Sequence, residues 1–161
     1  MLTSSLKGCL LLHIFIDADA CPVKDEVYRV AKRYGLKVTL VSNMWMRIPR
    51  ENWLDLVVVD NEPDAADDWI VDHVNAGDIV IADDIPFADR CLKKDAIVIA
   101  PKGRVFTSHT IGDALATRDL MAHLRETGVI AGGGPPPMAK KDRSLFLQRL
   151  DEAIQTVRRQ K

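Results

Sequence analysis

Leu10–Pro22 reads LLLHIFIDADACP, an apolar run that ends on two aspartates, Asp17 and Asp19, spaced i, i+2 and followed closely by a proline. The apolar part has the length of one buried strand and Pro22 suits the first position of a helix, so the stretch reads as a parallel strand feeding a helix. Open α/β sheets bind ligands beyond the carboxyl ends of their strands. Asp17 and Asp19 are therefore expected side by side on that rim.

Outward from this stretch, Met1–Gly8 reads as a loose extension. Residues 9–161 read as one domain, because 161 residues suffice for a sizeable core and fall short of two ordinary domains. Hydrophobic residues make up 47% of the chain and charged ones 28%, the balance of a soluble globular protein. No apolar run approaches the roughly 18 residues of a membrane span, so no membrane partner is expected. A net charge of −1 lacks the basic excess of a dedicated nucleic-acid binder but leaves room for a local basic patch. Cys9, Cys21 and Cys91 are odd in number and show no CxxC or Cys/His spacing, so neither a disulfide framework nor a zinc site is expected. A leader peptide over Met1–Cys21 is disfavoured by its two aspartates and by His13, and a reducing, cytoplasmic setting is the expectation.

From Pro22 the chain predicts a helix stopped by Gly35, with Val23, Val27, Val30, Ala31 and Tyr34 as its buried stripe. Strands follow over Leu36–Val41 and Leu54–Val59, separated by a segment that carries Trp45, Arg47 and Arg50. Pro63 opens a helix to Ala76, Asp78–Ala82 is a strand, Ile85–Lys94 a short helix and Ala96–Ala100 a strand. Pro101–Thr107 reads as a loop. Thr110 with Asp113 makes a capping pair for a long helix ending before Gly128. Gly132–Pro137, GGGPPP, separates a last helix over Lys140–Arg159, with Phe146, Leu150, Ala153 and Val157 as its stripe. Strands alternating with helices imply a three-layer α/β/α sandwich around a mostly parallel sheet.

More acids converge on the same rim. In the helix from Pro63, at about 100° per residue, Ala66, Trp69, Ile70, His73 and Val74 form the buried face, and Asp64, Asp68 and Asp72 lie opposite as solvated charges. Asp67 falls at the edge of the apolar face, where an unpaired charge is costly and a metal ion is one suitable partner. Asp83 and Asp84 end a strand, so one is expected at the rim and the other capping the next helix. Asp17, Asp19, Asp67 and Asp84 together would suit Mg²⁺ or Mn²⁺, which prefer all-oxygen surroundings. The plainer reading is that such aspartates only cap helices and make turns. Ser42 and Asn43 end a strand at the same rim and either position a phosphate or turn the chain. Lys24, Arg47, Arg50, Lys102, Arg104 and Arg118 are the cations that could meet phosphates, or else solvated surface charges. Cys21 lacks a histidine base, and His13 and His73 read as core residues.

Asp17-Ala18-Asp19-Ala20-Cys21-Pro22-Val23, Ala65-Ala66-Asp67 with Ile70, Asp84-Ile85 with Ala88, Gly103 with Thr110-Ile111, the Gly-Pro run, and Asp142-Arg143 with Phe146 resemble the YaiI/YqxD family of bacterial proteins. That family is similar to PIN-like nucleases, and the resemblance implies a PIN-like fold. It further implies a Mg²⁺- or Mn²⁺-dependent nuclease with Asp17, Asp67 and Asp84 as catalytic acids and metal ligands and Asp19 beside them. Nucleic acid, RNA first, is the partner this implies; Ser42, Asn43, Arg47, Arg50, Lys102 and Arg104 are the residues read from the sequence as candidates to meet its phosphates. The rival is a haloacid-dehalogenase-type phosphatase, whose motifs are mimicked by DxD, by Ser42-Asn43 and by Asp83-Asp84. Its phosphoryl-binding lysine has no counterpart, since no lysine occurs between Lys37 and Lys93. A non-catalytic RNA-binding module on the same fold is the third reading.

Overall fold

In the computed structural model, which describes residues 12–128 and 138–160, the apolar run ends in strand β1 (His13–Asp17). One 3-10 turn (Ala18–Ala20) leads into helix α1 (Lys24–Tyr34), and β2 (Lys37–Ser42) is joined to β3 (Leu54–Val58) by an irregular connection. Then come α2 (Ala65–His73), β4 (Ile79–Ile81), α3 (Ile85–Leu92) and β5 (Ile97–Ile99). The short β6 (Val105–Phe106), α4 (Ile111–Glu126) and α5 (Lys140–Gln160) complete the order. The strands lie in the order β3-β2-β1-β4-β5-β6, parallel throughout except for β5–β6.

Alternation along the strands divides the core. Ile14, Ile16, Val38, Leu40, Ile79 and Ile81 point to one face, where they meet Val27, Val30 and Ala31 of α1 and Phe146, Leu150, Ile154 and Val157 of α5. Phe15, Val41, Val80 and Val98 point to the other, under Ile70 of α2 and Phe87, Ala88 and Cys91 of α3. The result is the expected α/β/α sandwich. Ile154 rather than Ala153 takes the seam position on α5, since the larger side chain fills it, and Ala153 is half-buried.

Three local expectations are corrected. β6 occupies part of the Pro101–Thr107 stretch expected as a loop, because Phe106 is buried and the Ala100 N–H donates to the Arg104 carbonyl at 2.8 Å, closing a hairpin. Gly103 turns that hairpin at φ +98°, and a Cβ there would stand 2.6 Å from Leu145 Cγ on α5. Helix α2 is shorter than the expected Pro63–Ala76, because Asp64 is left-handed (φ 59°) and Val74 is already extended. The turn before α4 is closed by Thr107 and Thr110, each backbone N–H donating to the other's hydroxyl at 3.2 Å, and not by Thr110 with Asp113. The expected Met1–Gly8 extension and the Gly132–Pro137 segment lie outside the described residues. No helix among the described residues is long and apolar enough to cross a membrane.

Arg143 of α5 fastens the start of α1. Its Nη1 donates to the Pro22 carbonyl at 3.0 Å and to Glu26 at 3.2 Å, and Glu26 is buried. The turn carrying Asp19 is thus gripped directly behind the DADACP stretch.

Candidate functional site

The chain leaves β1 towards α1 on one face and leaves β4 towards α3 on the other, although β1 and β4 are neighbours in the sheet. This reversal opens a crevice beyond their carboxyl ends, the usual ligand position in open α/β sheets. Asp17 is the last residue of β1 and shares a sheet face with Phe15, the face covered by α2 and α3. Asp84, three residues past β4, is the N-cap of α3 and its Oδ1 accepts the Phe87 N–H at 3.3 Å. Asp67 stands half-buried in the first turn of α2.

Their electrostatics tie these three acids together. Burial raises the Asp17 carboxyl, the charges of Asp19 and Asp84 raise it further, and a bond from the Asp19 backbone N–H partly opposes them. Burial followed by the charges of Asp17, Asp84 and Asp64 pushes Asp67 up to about 7. Arg90 pulls Asp67 the other way, but its guanidinium is ion-paired with Asp68 at 2.8 Å. The expected division of labour between Asp83 and Asp84 is corrected: Asp84 both caps α3 and belongs to the acid group. Asp83 is raised by burial and by Asp84 against the charges of Lys102 and Arg104.

Asp19 is exposed and held at its carboxylate, with Ser42 Oγ donating at 2.6 Å and the Asn43 N–H at 3.3 Å. Ser42 is fully buried, so it orients Asp19 and cannot itself touch a phosphate. The Asn43 side-chain amide donates to Asn61 at 3.1 Å. The other expected phosphate contacts split between the two ends of the sheet. Lys102 and Arg104 flank Asp83 near the β5–β6 hairpin, with the Arg104 guanidinium 4.9 Å from the Phe106 ring centre. Arg47 and Arg50 line an open groove of about 800 Å³ between the β2–β3 connection and β3, with Trp45, Ile48, Pro49, Leu56 and Val58. Arg118 pairs with Asp119 at 3.9 Å, and Lys24 donates to the Cys21 carbonyl at 3.0 Å.

The donor set at the crevice is all carboxylate oxygen, which suits a hard divalent cation in its chemistry. Among the described residues, however, no three His, Cys, Asp or Glu side chains stand close enough to share one ion. A cation binding at this crevice would have to draw the acids together. Cys21 is no nucleophile, because burial pushes its thiol up to about 11. His13 is half-buried at the start of β1: stacked on Phe15 at 4.4 Å and bonded to Thr39 Oγ1 at 2.7 Å, it has its pKa lowered mainly by burial. His73 is corrected: it is exposed, stacks on Trp69 at 3.7 Å and donates from Nδ1 to the Trp69 carbonyl at 2.7 Å. Trp45, 74% exposed on the groove, was missed as a binding candidate. Its only signal is an aromatic residue between two methionines and an arginine in a segment without periodicity.

A family model described as "Uncharacterized BCR, YaiI/YqxD family" matches residues 15–156. The chain is 55% identical over 149 residues to a UPF0178 protein of Paramagnetospirillum magneticum, covering 92% of this chain and 98% of that one. It is 53% identical over 146 residues to a UPF0178 protein of Caulobacter sp., covering 91% and 96% of the two chains. A UPF0178 protein of Brucella ovis is 54% identical over 147 residues, covering 91% of each. No solved structure matches.

Proposed function

Since this chain belongs to the YaiI/YqxD family, whose description assigns no reaction, we propose from the site itself that it is a Mg²⁺- or Mn²⁺-dependent phosphodiesterase acting on RNA or other single-stranded nucleic acid. One observation carries the reading: carboxylates from three separate elements share one field at the switch point of the sheet, where burial and the charges of Asp17 and Asp84 push Asp67 up to about 7 and burial and the charges of Asp19 and Asp84 raise Asp17. Carboxylates held together without a neutralising cation are what a divalent-ion site supplies, and structural turns have no need of such a conflict. The family's resemblance to PIN-like nucleases points the same way.

Asp17, Asp67 and Asp84 would hold the ion. When bound, it would lower the pKa of a water and neutralise charge on the phosphoryl oxygens. The chain's own residues do the rest. Ser42 and Asn43 keep the Asp19 carboxylate in one orientation, and the α3 cap does the same for Asp84. Arg47 and Arg50 on one flank, and Lys102 and Arg104 on the other, meet the phosphate backbone. The phosphatase reading is weaker, because the serine it would set against the phosphoryl group is buried at Ser42.

The test is cleavage of end-labelled single-stranded RNA with Mn²⁺. Wild type should cleave, and Asp17→Asn and Asp84→Asn should each lose roughly 100-fold or more in rate. Equal cleavage by all three proteins, or phosphomonoester hydrolysis with a trapped aspartyl-phosphate, would overturn the reading.

A further inference from the structure

We propose that Trp45, with Arg47 and Arg50, forms a stacking platform for an unpaired base of a single-stranded nucleic acid, next to Asp19 on the β3 side of the crevice. The proposal rests on the nucleic-acid reading above and adds what that reading lacks, a surface that engages bases. Trp45 is 74% exposed and Met44 68% exposed, so a large apolar surface faces water at the rim. This is not a loose tip. Met46, Ile48 and Trp53 of the same connection pack against the core on the α1 face, so an extended segment is pinned by alternate residues while Trp45 and Arg47 stay outside.

The platform is tied to the acids. The Asn43 N–H donates to Asp19 and the Met44 N–H donates to Ser42 Oγ at 3.1 Å, so the connection starts from the same bonds that orient Asp19. Trp45 is two residues past Asn43, and its backbone therefore lies within about 7 Å of it. The charge pattern selects the occupant. The groove beside Trp45 is lined by two guanidiniums and no carboxylate, and neither Arg47 nor Arg50 forms an ion pair with a described residue. A second copy of the chain docked there would bring four guanidiniums together with no acid between them. A nucleotide instead offers a π-face to the indole and a phosphate to the arginines.

Binding of a fluorescein-labelled oligouridylate in EDTA, where metal-dependent cleavage is silent, tests this with the full chain. Trp45→Ala should weaken binding about tenfold and leave the affinity for an abasic ribose-phosphate oligomer unchanged. Trp45→Phe should recover most of the loss. Changing Arg47→Gln and Arg50→Gln together should reduce the slope of log affinity against log salt by about 1.4. Unchanged oligouridylate affinity in Trp45→Ala, an equal loss with the abasic oligomer, or a wild-type dimer in sedimentation that Trp45→Ala dissociates would each overturn the platform. The two readings fail separately: RNA that binds the wild-type protein through Trp45 but is not cut by it with Mg²⁺ or Mn²⁺ removes the nuclease and keeps the platform. Cleavage with an unchanged KM in Trp45→Ala removes the platform and keeps the nuclease.

Discussion

Asp67 is half-buried, carries the charges of Asp17, Asp84 and Asp64 against it, and is raised to about 7. The folded chain therefore favours its protonated form, while an unfolded carboxylate titrates near 3.8. The stability this gives is complete below about pH 4 and is lost as pH rises to about 7. Asp67→Asn removes the conflict. At pH 8 the variant should be more stable than wild type by about 1–2 kcal/mol, discounted because the side chain is about half exposed, and should melt about 3–6 °C higher. At pH 4 the two should melt together, and a difference independent of pH would contradict the assignment. Helical phase alone placed Asp67 at the edge of an apolar face, so this much was legible in the sequence. The role of Ser42 was not, because it rests on a bond to Asp19, 23 residues away.

At the scale of elements, the site depends on how the turn after β1 is held. Arg143 reaches from α5 to the Pro22 carbonyl and to buried Glu26, and so links the C-terminal helix to the DADACP turn. Arg143→Gln should cost about 1–3 kcal/mol, because among the described residues Glu26 is left with Arg29 alone as its cationic partner, at 3.6 Å, and should lower the melting temperature by about 2–10 °C. Thermal unfolding at pH 7 checks it, and an unchanged midpoint would show that the clamp is idle. Long amphipathic elements such as α1 and α5 were legible from periodicity. β6 was not, since two residues carry no period and Phe106 is fixed by tertiary burial. The early start expected for α2 failed for a local reason, the left-handed Asp64.

For the whole molecule, the decisive feature is the strand order, which makes β1 and β4 neighbours and gathers Asp17, Asp67 and Asp84 from distant parts of the chain. Alternating strands and helices foretold a parallel sheet with acids at its carboxyl edge. The side-chain spacing could not be foretold, and in the structure these acids share a field without sharing a coordination sphere. The central claim is that a divalent ion closes them. Calorimetric titration of the intact chain with MnCl₂ at pH 8 tests it without reference to any substrate. The account predicts saturable binding in wild type that is lost in Asp17→Asn and in Asp84→Asn. Absence of binding in wild type, or binding that survives both substitutions, would contradict it.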